Sequence, residues 1–144
     1  MMKKIMILII FTIALSGCSF IEETNNSLNY ATEATDYFND LSNFAEETSG
    51  LVNQAASDPA AKEELETQLI ALEESITDFN ALDAPGIAEG LHQNLTEKNQ
   101  QLLDITDGII QNGEVAIDQL QNSDLYQTIE NITELKSQIE ELGF

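Results

Sequence analysis

The chain has no arginine and no tryptophan, one histidine, one cysteine and two prolines in 144 residues. Each shortage excludes something. Without arginine, and with five lysines against 26 carboxylates, there is no basic patch able to neutralise phosphates, so nucleic acid is not a partner. One histidine gives no histidine pair for a metal site, and one cysteine gives no intrachain disulfide. A Gly-rich phosphate loop is also missing, and "DITDG", Asp104 to Gly108, lacks the ligand spacing of a calcium loop. With 26 carboxylates, any pair at catalytic spacing is uninformative. The reading is therefore of a protein that is not an enzyme and carries no cofactor.

What is present begins with charge segregation. Met1 to Lys4 holds two of the lysines; Ile5 to Leu15 is uncharged, with Thr12 its one polar residue; Ser16 and Gly17 are small; Cys18 follows. A basic start, a short apolar stretch and small residues before a cleavage point make a secretory signal peptide. As a helix the apolar stretch spans roughly 17 Å, short of the ~30 Å hydrocarbon core, which disfavours a permanent span.

Leu15-Ser16-Gly17-Cys18 resembles the bacterial lipobox. That resemblance implies diacylglycerol attachment to Cys18, cleavage between Gly17 and Cys18, and a cell-membrane protein on the extracytoplasmic face. The competing readings of Cys18 are a free thiol in an ordinary signal peptide and an intermolecular disulfide. A single acyl chain anchors only marginally, so stable attachment takes two or more, palmitate among them. The expected organisation is a removed signal peptide at 1–17, a lipidated cysteine with a short tether or helix start at 18–27, and an acidic helical domain at 28–144.

Removing residues 1–17 leaves 127, enough for one domain. All 26 carboxylates remain against Lys62, Lys98 and Lys136, a net −23. Such charge keeps the domain soluble and repels other anionic envelope material. It also fits attraction to a cation, or to a basic peptide or protein. Adjacent pairs such as Glu46-Glu47, Glu63-Glu64 and Glu73-Glu74 offer weak, unspecific divalent-cation chemistry rather than a metal site.

Along the mature chain the apolar residues keep a helical period. Tyr30, Tyr37, Phe44 and Leu51 form one heptad column; Ala31, Phe38, Ala45 and Val52 a second; Ala34, Leu41, Thr48 and Ala55 a third. Three adjacent columns make a stripe broad enough for more than one neighbour. Ser19 and Glu22 have capping-box spacing, whereas Thr24 to Ser27 also reads as a loose tether, and Ser49-Gly50 as a kink.

Asp58 as N-cap with Pro59 at the first helical position predicts a second helix carrying Leu65, Leu69, Leu72, Ile76 and Phe79, ending near Leu82. A weaker third helix is expected over about 85–111, with Ile87, Leu91, Leu95, Leu102, Ile105 and Ile109, and Lys98 on the same stripe. Asn112-Gly113 stops it. Residues 113–122 read equally as helix or loop. Ser123 caps a fourth helix with Leu125, Ile129, Ile132, Leu135, Ile139 and Leu142, closed by Gly143, with Phe144 folded back on the last turn. No alternating strand pattern competes. The predicted fold is all-α, an antiparallel up-and-down bundle of about four helices. His92 reads as a surface or cap residue, and the Tyr30–Tyr37–Phe44 column as core.

"LSGCS", "NNSLNYATEAT", "SDPAAKEELE", "FNALDAPGIAEGLHQ" and "QTIENITELKSQIEELG" together resemble a family of small uncharacterised lipoproteins of Gram-positive Bacillus-type bacteria. The resemblance implies a lipid-anchored extracytoplasmic protein and brings no activity with it. The expected role is a non-enzymatic interaction or structural module whose partner is an envelope protein; the alternative is capture of a cation or basic peptide, as an inhibitor or immunity factor.

Overall fold

The structure, a computed structural model, describes residues 17–143, with side chains from Asn25 onward. Helix α1 runs from Gly17 to Ala55 without a break at Thr24–Ser27 or at Ser49-Gly50. Its three heptad columns point inward: Tyr30, Ala34, Tyr37, Phe38, Leu41, Phe44, Thr48, Val52 and Ala55 are buried, with Ala45 and Leu51 packed at the edges. The width of that stripe lets α1 touch α2 along one side and the last two helices along the other.

The turn to α2 (Pro59–Asn80) is closed as the sequence predicts. Asp58 sits in an extended conformation and its Oδ1 accepts from the Ala60 amide at 3.0 Å, with Pro59 in the first turn. Such a cap stabilises a helix by about 1 kcal/mol. Leu65, Leu69, Leu72, Ile76 and Phe79 are all buried, joined by Ala61. The helix stops at Asn80, two residues short of the expected end.

Helix α3 (Glu89–Ile109) starts four residues later than expected. Pro85 restrains the backbone before it, and the Ala88 amide donates to the Pro85 carbonyl at 2.8 Å, making a turn that buries Ala88 and leaves Ile87 58% exposed. The core line of α3 is Ala88, Leu95, Asn99, Leu102, Thr106 and Ile109. Two of these are polar, so the apolar count passed over them and took Leu91 and Ile105, which are half-buried flanks, as is Lys98.

After α3 comes an element that the sequence reading missed. Ile110–Gln111 (β1) pairs antiparallel with Glu114–Val115 (β2), Ile110 opposite Val115 and Gln111 opposite Glu114. Asn112 (φ 55°) and Gly113 (φ 82°) both take the left-handed conformation, as a type I′ hairpin demands. Strands of two residues are too short to show alternation, so Asn-Gly read only as a helix stop.

Helix α4 (Ile117–Gln121) follows, then α5 (Leu125–Thr133) and α6 (Lys136–Glu141). The expected fourth helix is thus divided. At the division the amides of Leu135 and Gln138 donate to Ile132 and Leu135, i to i−3 bonds that tighten the chain for one turn. Ser123 contributes a long 3.4 Å contact from the Leu125 amide while its hydroxyl donates to the Leu120 carbonyl. Gly143 has φ +72°, the left-handed end expected of it; Phe144 lies outside the described residues.

The product is an all-α up-and-down bundle. Its neighbours are α1 with α2, α2 with α3, α3 with α5, and the α5–α6 pair with α1. Leu65, Leu69, Ile76, Leu95, Leu102, Leu125, Ile129 and Ile132 fill the middle. Each such side chain contributes roughly 1.5–3 kcal/mol on burial.

Candidate functional site

The expected lipid site sits where the description begins. Leu15 and Ser16 lie outside the described residues, as does the rest of the signal segment; Gly17 and Cys18 open α1. No helix among the described residues is long and apolar enough to cross a membrane.

Nearest to that end, α1, α2 and α3 share a cluster of rings and amides. The Tyr30 hydroxyl and His92 Nδ1 are 3.1 Å apart, and the imidazole also bonds the Asn80 backbone. His92 stands edge-on to Tyr30 at 5.6 Å and tilted to Phe79 at 5.1 Å. One heptad along, Tyr37 stacks on Phe79 at 4.3 Å and donates to Asn99 Oδ1 at 2.5 Å, and Asn99 Nδ2 donates to Asn80 Oδ1 at 2.7 Å. His92 is therefore half-buried and clamped between helices, not the surface or cap residue expected.

Burial pushes the Tyr30 phenol up to about 12 and the Tyr37 phenol higher still, the latter partly opposed by its bond to Asn99. Desolvation lowers His92, opposed by the Asn80 backbone bond. These groups are held in their neutral forms and are engaged with one another. The arrangement ties α1, α2 and α3 together in one register.

Farther along, Tyr126 of α5 lies 6.5 Å from Phe44 and its hydroxyl meets Thr48 Oγ1 at 3.0 Å. The aromatic column read from the sequence is core, as expected. The polar partners Asn80, Asn99 and Thr106 were missed. The regular spacing of Ala88, Leu95, Asn99, Leu102, Thr106 and Ile109 is the signal that carries the latter two.

The carboxylates gather elsewhere. A groove of about 310 Å³ between α1 and α2 is lined by Glu33, Asp36, Asp40, Glu74 and Asp78, with Tyr37 and Phe79 beneath. It continues past Asp40, Ala71 and Ser75 into a second stretch of about 340 Å³ that reaches Glu47. Ser75 donates to Asp40 at 3.2 Å and Gln68 to Glu47 at 3.3 Å, bridging the two helices.

Glu46, Glu63, Glu64 and Glu74 are exposed, while Glu73 is half-buried with Oε1 out of water and unbonded. No group of three or more His, Cys, Asp or Glu among the described residues could hold a metal ion. At the opposite end from Tyr30, the half-buried Lys62 and the exposed Glu114 pair at 2.9 Å, raising the lysine and lowering the carboxyl, at the surface where such a pair contributes little.

The profile of a family of unknown function, DUF6376, matches residues 30–142, and the chain belongs to that family. It is also 36% identical over 130 residues, 88% of either chain, to the uncharacterized lipoprotein YybP of Bacillus subtilis (strain 168). No solved structure matches it.

Proposed function

We propose that this family member is a lipoprotein cleaved between Gly17 and Cys18, held to the extracytoplasmic face of the cell membrane by acyl chains on Cys18, with the bundle serving as a non-enzymatic interaction or structural module. The observation that carries this reading is Leu15-Ser16-Gly17-Cys18 at the end of an uncharged stretch behind a basic start. The likeness to a relative named a lipoprotein supports it. So does the use of the bundle's rings and imidazole as packing between helices rather than as an open reactive centre.

Mass spectrometry of the mature protein tests it. The expected species begins at Cys18 and carries the mass of a diacylglyceryl group, and Cys18→Ser leaves the membrane fraction. An unmodified Cys18 in the mature protein, or an unchanged membrane fraction for the serine variant, defeats the reading.

A second reading, capture of a cation or a basic peptide, is favoured by one observation: the carboxylate-lined α1–α2 groove. Titration calorimetry with a lysine-rich peptide separates the two. Saturable binding abolished by Asp36→Asn with Asp40→Asn supports capture; heat that vanishes at physiological salt in parent and variant alike removes it.

A further inference from the structure

We infer that α1 is a post that stands the bundle upright on the membrane, with the 81–88 connection facing the bilayer and the Asn112–Gly113 hairpin pointing away; this rests on the lipid attachment at Cys18 proposed above. Cys18 is the second residue of α1, and the helix continues into the core with no glycine or proline between Cys18 and Tyr30. Asn25, Asn26, Leu28 and Asn29 are exposed and Ser27 half-buried, whereas Tyr30 is 2% exposed, so the buried stripe of the helix begins at Tyr30. At ~1.5 Å per residue, Cys18 lies about 18 Å along the helix from Tyr30, and Tyr30 to Ala55 spans about 38 Å.

Topology then fixes what lies at each end. Leu82 and Asp83 share a groove with Tyr30, which places the α2–α3 connection on the anchor side. Two exposed apolar side chains, Leu28 and Ile87, are at this end as well. At the other end the Val115 amide donates to Glu66 at 3.0 Å and Lys62 pairs with Glu114, which seats the hairpin over the start of α2. The hairpin, the Ser57-Asp58 turn and α4 form the surface within reach of an envelope partner.

Charge opposes the alternative. A bundle lying on its side brings rows such as Glu33, Asp36, Asp40 and Glu47 against anionic headgroups. Upright, most of them stand beyond the ~8 Å over which that repulsion acts at physiological salt. A helical post with no break before the core carries this constraint from the lipid to the body, as a flexible linker does not.

Energy transfer on the lipidated full-length protein in vesicles tests the orientation. A donor dye is placed at Ile87→Cys or Gln111→Cys, both exposed positions, and the acceptor on lipid headgroups. Transfer from position 87 is expected to exceed that from 111 several-fold, and a Gly-Ser linker inserted between Thr24 and Asn25 is expected to erase the difference. Equal transfer from both sites in the uninterrupted protein, or stronger transfer from 111, overturns the inference. Flotation of the same samples separates the two readings. Protein that floats yet transfers equally has lost the orientation alone; protein that fails to float has lost the anchor and the orientation with it.

Discussion

Tyr30 bonds His92 and Tyr37 bonds Asn99, and both pairs are separated by 62 positions. Two bridges a heptad apart with the same offset mean that α1 and α3, which run parallel in the bundle, are locked in one register over that heptad. Phe79 of α2 lies against both tyrosines, at 6.3 Å from Tyr30 and 4.3 Å from Tyr37. A slip of either helix by one turn breaks both bridges together. Buried polar contacts of this kind specify one packing among several that apolar burial alone tolerates.

The Tyr37–Asn99 bond gives a direct test of coupling. Tyr37→Phe leaves the buried Asn99 oxygen unpaired, and Asn99→Leu leaves the Tyr37 hydroxyl and Asn80 without their partner, each expected to cost about 1–3 kcal/mol. The double variant is expected to cost clearly less than the two single costs added together. Urea unfolding of the four proteins measures this, and additive losses exclude a coupled network.

His92 makes stability depend on pH with a definite sign. Its pKa in the folded protein lies below the ordinary histidine value of ~6.5, because burial disfavours the charged ring. The unfolded chain therefore takes up the proton first as pH falls. Stability is lost as pH drops below about 6.5 toward the folded value, and the loss is complete once both states are protonated. His92→Gln removes this contribution, so between pH 7.5 and 5.5 the parent is expected to lose more melting temperature than the variant. Parallel curves count against a desolvated imidazole.

Repulsion among carboxylates gives a salt prediction. Residues 18–144 carry a net −23, and the close α1–α2 rows have no cation between them in the ion pairs described. Moderate salt or a few millimolar divalent cation is expected to raise the melting temperature by screening. A melting point that falls steadily from low to physiological salt contradicts this.

Two glycines should respond in opposite directions to the same change. A Cβ built on either Gly50 or Gly113 meets nothing within 4 Å, so neither substitution is limited by space. Gly113 has φ +82° in the hairpin, and Gly113→Ala is expected to destabilise by about 1 kcal/mol through backbone strain. Gly50 is inside α1, where alanine is the better helix former, and Gly50→Ala is expected to stabilise by about 0.5–1 kcal/mol. Thermal melts of the two variants, read against the parent, show whether the signs differ.

The legible part of this fold is the part written in apolar spacing and in turn chemistry. Leu65, Leu69, Leu72, Ile76 and Phe79 repeat at three and four and are all buried; Asp58-Pro59 and Gly143 mark helix ends that the structure has. The α3 line was harder because Asn99 and Thr106 occupy core positions, and a count of apolar residues skips them in favour of Ile87, Leu91 and Ile105. The hairpin was invisible because two residues per strand contain no period.

Composition and local pattern by themselves determined the class, an acidic helical bundle behind a lipobox-like segment, since burying an apolar stripe on a helix needs only the right period. The tertiary structure alone decided which polar side chains are inside. Asn80 of α2 bonds Asn99 of α3, and only Tyr30 and Tyr37, brought up by α1, supply the further hydrogen bonds that make the burial of His92 and Asn99 tolerable. Those partners lie 62 positions away, beyond any local spacing rule.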